Sequence, residues 1–551
     1  MALNYRSTDR DQPFLLPPDL RDWLPSDHLA WFILEVVKGL GTSGLHQKSK
    51  RGGIGREGYD PEMLLAVWVY ASARGVSSSR QIERACTEDV AFRVLCAQDV
   101  PDHTVLARFR QSNRAVMADL FTQVLVLCVR QGLGKFGVIA IDGTKIKSNA
   151  SKDKTHSLKR LRSLARGIMD TAEATDAAED AADVPTMHDD LPAGFGPGPD
   201  RPSLIEAEIK DIEDFIAAEN KSTPDTVQAD ASPQDGRGGG RLTRIETAIT
   251  DLEGVVEREN KPRLDTLESQ LAAAEQRLID REAKQAASRQ RYADAIANKT
   301  PNGRPPIENN GLLRKAKHGV EFAKNNLERA RQRAAQQSSG EADRTKKYLL
   351  RRNVTDPQSR IMHTRNGFFE SYNGQVATAD DQLILAVAVT DEPNDQYQLI
   401  PMMNKVKANV EHCKAETGRT DLGVGKVVVD NGYLSAENVA AEGYDRLIAP
   451  GRGTMKDGHW VGSIKGKKGE KISQAAQTMR TKLAEPGNQK IYNRRGVLVE
   501  PVNAHLKDRR GLRQFACRGR DAANAELHMA ALATNLMKLF TTRNKVTQTA
   551  T

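Results

Sequence analysis

At 551 residues the chain is longer than one hydrophobic core usually organises, which predicts two or three domains. Hydrophobic residues make up 39%, aromatics 5% and charged residues 28%, the balance of a soluble protein with segments too polar to pack tightly; no apolar run is long enough for a membrane span. The net charge of +9 is concentrated: between Lys490 and Arg520, nine Lys and Arg face only Glu500 and Asp508, which favours a partner carrying phosphates over a merely solvated basic face.

The amino terminus has no apolar signal region, and Cys86, Cys96, Cys128, Cys413 and Cys517 form no C-x-x-C pair. Five thiols leave one over from any complete pairing, so a reduced, cytoplasmic protein is expected. The histidines show no ligand spacing, and nothing points to zinc.

In chain order, residues 28–133 predict short helices at 28–40, 61–74, 78–86, 89–95 and 102–131. Pro61 suits a first helical position, Gly75 a stop, and Ser77 and Asp102 act as N-caps. The tight turn at Arg74–Ser77 resembles a helix-turn-helix layout, although any small α domain has similar punctuation. Residues 136–141 form a β-branched run without helical period, hence a buried strand ending at Asp142.

From residue 150 to 350 the composition turns to Ala, Glu, Arg, Lys and Gln, with Pro/Gly/Asp breaks at 190–202, 223–240 and 301–311, which predicts an insertion. Leu242, Ile245, Ile249, Leu252 and Val256 form one coiled-coil seam, and Leu264, Leu267, Leu271, Ala274 and Leu278 a second. Pro262 is expected to break the helix between them, giving an antiparallel hairpin or a dimer zipper. Strands return at 361–364, 368–376 and 382–390, joined by turns at Asn366–Gly367 and Ala379–Asp381. A helix at 398–413, a strand at 424–430 ending in Asp430, a helix at 436–442 and a strand at 445–449 follow. The fold class expected is multidomain α+β. An N-terminal all-α DNA-binding domain covers 1–133, a mixed α/β catalytic domain 134–150 and 345–540, a helical and coiled-coil insertion 151–344, and a flexible tail 541–551.

The order of these strands fits a ribonuclease H-like sheet, in which the strands of Asp142 and Asp430 lie side by side. Two hard cations a few ångström apart need about three carboxylates, and a helix beginning near Glu500 supplies the third. There Pro501 stands early in the helix, where its missing N–H is harmless, and Lys507 is two turns on. The dull alternatives are turn chemistry for the two aspartates and helix-dipole chemistry for the glutamate.

Ala140–Lys145, Val428–Tyr433 and the run Tyr492, Arg495, Glu500 and Lys507 resemble the acidic motifs of bacterial insertion-sequence DDE transposases of the Y-R-E-K group, most closely the insertion-sequence family eleven-eighty-two. Thr355–Arg360, Gly367–Gln375, Asn394–Gln396, Tyr59–Pro61 and Pro101–His103 extend the likeness, which spans residues 5–150 and 345–540. One departure is that four residues, not three, separate Arg495 from Glu500, and Arg494 is no better placed.

The resemblance implies a transposase in which Asp142, Asp430 and Glu500 are both the catalytic residues and the ligands of two Mg²⁺ ions, replaceable by Mn²⁺. Tyr492, Arg495, Lys507, Arg509, Arg510 and Arg513 would contact DNA. The partners implied are terminal inverted repeats, target DNA and a second protomer or higher oligomer, with no membrane; the protein would be nucleoid-associated when bound to DNA. A nuclease that cuts without joining, and an inert DNA-binding or assembly protein, are the readings that compete with it.

Overall fold

The computed structural model describes residues 19–46, 58–182, 240–298, 305–307, 310–338, 351–364, 367–456, 459–463 and 473–550. The Pro/Gly-rich breaks at 190–202 and 223–239 and the turn residue Asn366 lie outside them. The chain divides into two compact units, Met1–Leu158 with Thr247–Thr551, and Lys159–Glu246. Of the smaller unit, the structure describes most of the helix Leu158–Ala182 and the first turn of the helix Arg241–Ala297.

The larger unit is built on a six-stranded sheet. In chain order its strands are β1 (Val138–Lys147), β4 (Arg360–Thr364), β5 (Gly367–Thr378), β6 (Ile384–Thr390), β7 (Lys426–Val429) and β8 (Asp445–Ile448); β2 (Thr155–Ser157) and β3 (Arg351–Asn353) form a separate antiparallel pair. One edge of β5 pairs antiparallel with β1, and its other edge pairs first with β4 and then with β6. On the far side of β1 the pairing becomes parallel, β1 with β7 and β7 with β8. The helix Leu399–Thr417 carries the chain from β6 to β7, and the helix Ala436–Ala440 lies on the crossover from β7 to its parallel neighbour β8.

Three helical expectations change. The helix expected at 102–131 is two, His103–Ser112 and Val116–Arg130, because the Asn113 side chain donates to the Phe109 carbonyl and ends the first. Pro262 does not interrupt: Arg241–Ala297 is one helix through it. The proline removes a single backbone bond, and on the same turn Asn260 Nδ2 donates to Gln337 Oε1 at 2.9 Å from the facing helix Gly311–Ser338. The antiparallel hairpin therefore forms between these two long helices, with Arg331–Glu268 at 2.8 Å and Lys324–Glu275 at 3.6 Å, and not between the two seams. Asp251 ties the long helix to the sheet through Arg352 at 2.5 Å and Arg360 at 3.0 Å. The last helix, Arg520–Ala550, takes in residues 541–550, the stretch that sequence marks as a tail.

Helices Pro61–Ala73 and Val116–Arg130 pack on the helix Arg520–Ala550, which lies on β6, so the N-terminal helices share one continuous core with the sheet. Buried among them, Phe121 meets His528 edge-on at 5.7 Å. Among the described residues no single helix is long and apolar enough to cross a membrane.

Candidate active site

Side chains alternate between the two faces of a strand. Val138 and Ala140 of β1 and Val428 of β7 point to one face, into a small core with Leu447, Tyr492, Leu498 and Val499; Ile139, Ile141, Val427 and Val429 point into the main core. The parallel register pairs Ala140 with Val428, and continuing it two residues brings Asp142 level with Asp430 on that first face. The strand does not end at Asp142, as sequence implies, but runs on to Lys147, because β5 pairs with it over the whole of Ala140–Lys147.

The helix Arg495–Ala504 covers this face. Pro501 sits in its interior and not in its first turn, so its ring leaves the Val497 carbonyl without a helical donor. Gln382 Nε2 donates there at 2.9 Å, and Thr378 Oγ1 donates to the next carbonyl, Leu498, at 3.2 Å. The helix is thereby anchored to the β5–β6 turn. His505–Arg509 then form a π-helical turn. Lys507 thus lies in this wider winding and not on a continuous α-helix from Glu500, as sequence expects.

Asp142 and Asp430 are brought together. Burial, and then the Asp430 carboxylate, push Asp142 up to about 7, with Arg495 pulling the other way. Burial also raises Asp430, against the pull of the Gly432 N–H and Arg495; that N–H donates to Asp430 Oδ1 at 2.8 Å and caps the short turn Asn431–Tyr433. The turn role of Asp430 and its place beside Asp142 thus coexist. Glu500 is not brought in: its side chain is 68% exposed and lies back over Gly496, 3.8 Å from Arg495. As the side chains stand, no three His, Cys, Asp or Glu among the described residues could hold a metal ion.

Two site residues escape the sequence reading. Asn503 Nδ2 donates to Asp142 Oδ2 at 2.9 Å, while its own Oδ1 is buried without a partner. Its position three residues after Glu500 was the available signal. Asp395, which sequence shows only as part of a motif after a strand, is a third carboxylate beside the pair. Its Oδ1 accepts from Asn373 at 2.7 Å, Gln375 at 2.8 Å and Lys145 at 3.4 Å, and Tyr433 fixes Gln375 through its Oε1 at 2.5 Å. Gly143 is required here, since a Cβ would lie 2.1 Å from Asp395 Oδ1.

The expected DNA contacts separate. Tyr492 is buried in the small core, its hydroxyl pushed up to about 12 by burial, with Arg495 opposing. Arg495 points at the acids, whereas Arg494 pairs with Asp380 at 2.7 Å. Arg509 is exposed. Arg510 turns inward to the Ala73 carbonyl, and Arg513 pairs with Asp508.

The oxygen donors suit the chemistry of a hard divalent cation, two half-buried carboxylates near each other and an unpartnered amide oxygen behind them, while the carboxylate of Glu500 stands off on the covering helix.

Comparison with known families gave two matches. Residues 18–112 match a transposase domain model (DUF772), and residues 463–540 match a transposase DDE domain model. The second match contains Tyr492, Glu500 and Lys507; neither contains Asp142 or Asp430. No curated protein and no solved structure matches the chain.

Proposed function

We propose that this chain is a DDE transposase of the bacterial insertion-sequence type, of the eleven-eighty-two group, in which Asp142, Asp430 and Glu500 hold the divalent cations. The observation that carries this reading is the in-register placement of Asp142 beside Asp430 under a helix that bears Glu500. The two transposase matches support it, and the antiparallel hairpin on one side of β1 with parallel strands on the other supports a ribonuclease H-like sheet.

Within this reading residues 1–133 bind DNA, 134–150 with 345–540 perform the chemistry, and 151–344 is an insertion. The protein works in the cytoplasm on the paired ends of its element, as a dimer or higher oligomer. Bound Mg²⁺ ions supply the Lewis acidity that activates the attacking hydroxyl and stabilises the leaving 3′ oxygen. Asn503 orients Asp142, and the Gly432 N–H orients Asp430. Arg495 offsets the negative charge of Asp142 and Asp430 and pairs with Glu500, which joins the two aspartates by turning away from it. Lys145, kept near the acids by Asp395, meets the substrate phosphate.

The test is a Mg²⁺-dependent cleavage and strand-transfer assay on DNA carrying the sequences that flank the gene, with Asp430→Ala as control. Joined products that vanish in the variant are expected. Cutting without joining would make the chain a nuclease, and binding alone a DNA-binding relic.

A further inference from the structure

Behind the helix that bears Glu500 lies an open groove of about 850 Å³. Its wall begins at Val502 and His505, two and five residues after Glu500. Besides Arg510, which is turned to the Ala73 carbonyl, its Lys and Arg residues come from three elements: Arg74 from the turn after helix Pro61–Ala73, Arg509 from the π-helical turn, and Lys538 and Lys545 from the last helix. Lys538 and Lys545 are seven residues apart, two turns, so they share one side of that helix at a rise of about 10 Å. The one acid that lines the groove, Asp508, is already engaged by Arg513.

The two arginine-bearing turns are locked together. Gly75, at φ +77°, and Gly511, at φ +68°, touch backbone to backbone; a Cβ on Gly511 would lie 2.6 Å from the Gly75 carbonyl oxygen, and one on Gly75 would lie 2.8 Å from that of Arg509. Arg74 and Arg509 are therefore held on adjacent, rigid turns.

A small-molecule site is enclosed and mostly apolar, whereas this groove is open and cationic. A row of positive side chains about 10 Å long matches roughly three phosphates of axial rise along one strand of a duplex. We infer that the groove holds the sugar–phosphate backbone of duplex DNA, apart from the acidic site and leading toward it along the Glu500 helix. The inference rests on the reading of the chain as a DNA-processing enzyme, and assigns Arg74, Lys538 and Lys545 a role that sequence did not.

The experiment measures binding of a fluorescent mixed-sequence DNA duplex of about 30 base pairs to the full chain, between about 50 and 200 mM salt. Arg74→Ala/Lys538→Ala/Lys545→Ala should weaken binding at least tenfold at the lower salt, with the slope of log K against log salt shallower by about 2 to 3. Lys538→Glu/Lys545→Glu, confined to the last helix, should weaken it further, and thermal unfolding establishes that each variant is folded. Affinity and slope equal to the parent's in both folded variants would overturn the groove, whether or not the parent cuts DNA. A parent that binds but never cuts, with the variants showing the expected loss of affinity and slope, keeps the groove and loses the transposase reading. A parent that does not bind overturns both.

Discussion

Asp142 and Asp430 each lie two residues past the last pair, Ala140 with Val428, of two parallel strands; Glu500 stands on a helix that has Pro501 in its interior and a π-helical turn after it. The two aspartates are half-buried and tied to Asn503 and Gly432, whereas Glu500 is exposed and leans on Arg495. Under the proposed reading, the difference teaches that the strand half of the site is preorganised by its hydrogen bonds and the exposed helix half is the one left to adjust. In enzymes that assemble a site on their substrate, the adjustable member is the one that moves.

The largest effects come from deleting either half. Asp142→Ala, Asp430→Ala and Glu500→Ala should each bring cleavage below detection while duplex binding stays within a few-fold of the parent; measurable cutting by Glu500→Ala would place the third ligand elsewhere. Asp395→Asn removes the charge that holds Lys145 and sets an amide against the Asn373 and Gln375 amides. A 10- to 100-fold fall in cleavage is expected, again without loss of DNA affinity, and an unchanged rate would reduce Asp395 to a packing residue.

Gly143→Ala tests the rigid half directly. The added Cβ would meet Asp395 Oδ1 at 2.1 Å and Gln375 Nε2 at 2.7 Å, an overpacking that costs about 1–3 kcal/mol in denaturant unfolding. The smallest effect sharpens the other side. Pro501→Ala restores a helical N–H to the Val497 carbonyl and displaces Gln382. Stability should rise by ~1–2 kcal/mol while cleavage falls a few-fold, because the helix loses its tie to the β5–β6 turn. Lower stability in Pro501→Ala would mean that the proline is there for packing and not for that tie.

Much of the architecture was legible in the chain. β-branched runs without helical period marked the strands, and turn residues marked the hairpin of β5 and β6. The boundaries of β1 were not legible: Gly143 and Lys145 look like turn and surface residues until β5 pairs with them. Pro262 and Pro501 misled for a common reason, since the loss of one backbone bond breaks a helix only where nothing nearby compensates. Asn260 stands opposite a partner helix in the first case, and Gln382 supplies the missing donor in the second.

By itself the sequence determined the order of the strands, which elements carry the candidate acids Asp142, Asp430 and Glu500, and a basic segment nearby, because local pattern and charge are written residue by residue. Only the tertiary structure decided that Asp395 and Asn503 belong with Asp142, that Arg510 faces inward, and that Arg74 lines one groove with Lys538 and Lys545, hundreds of residues away. These are long-range juxtapositions, made by sheet register and helix packing, and no local periodicity carries them.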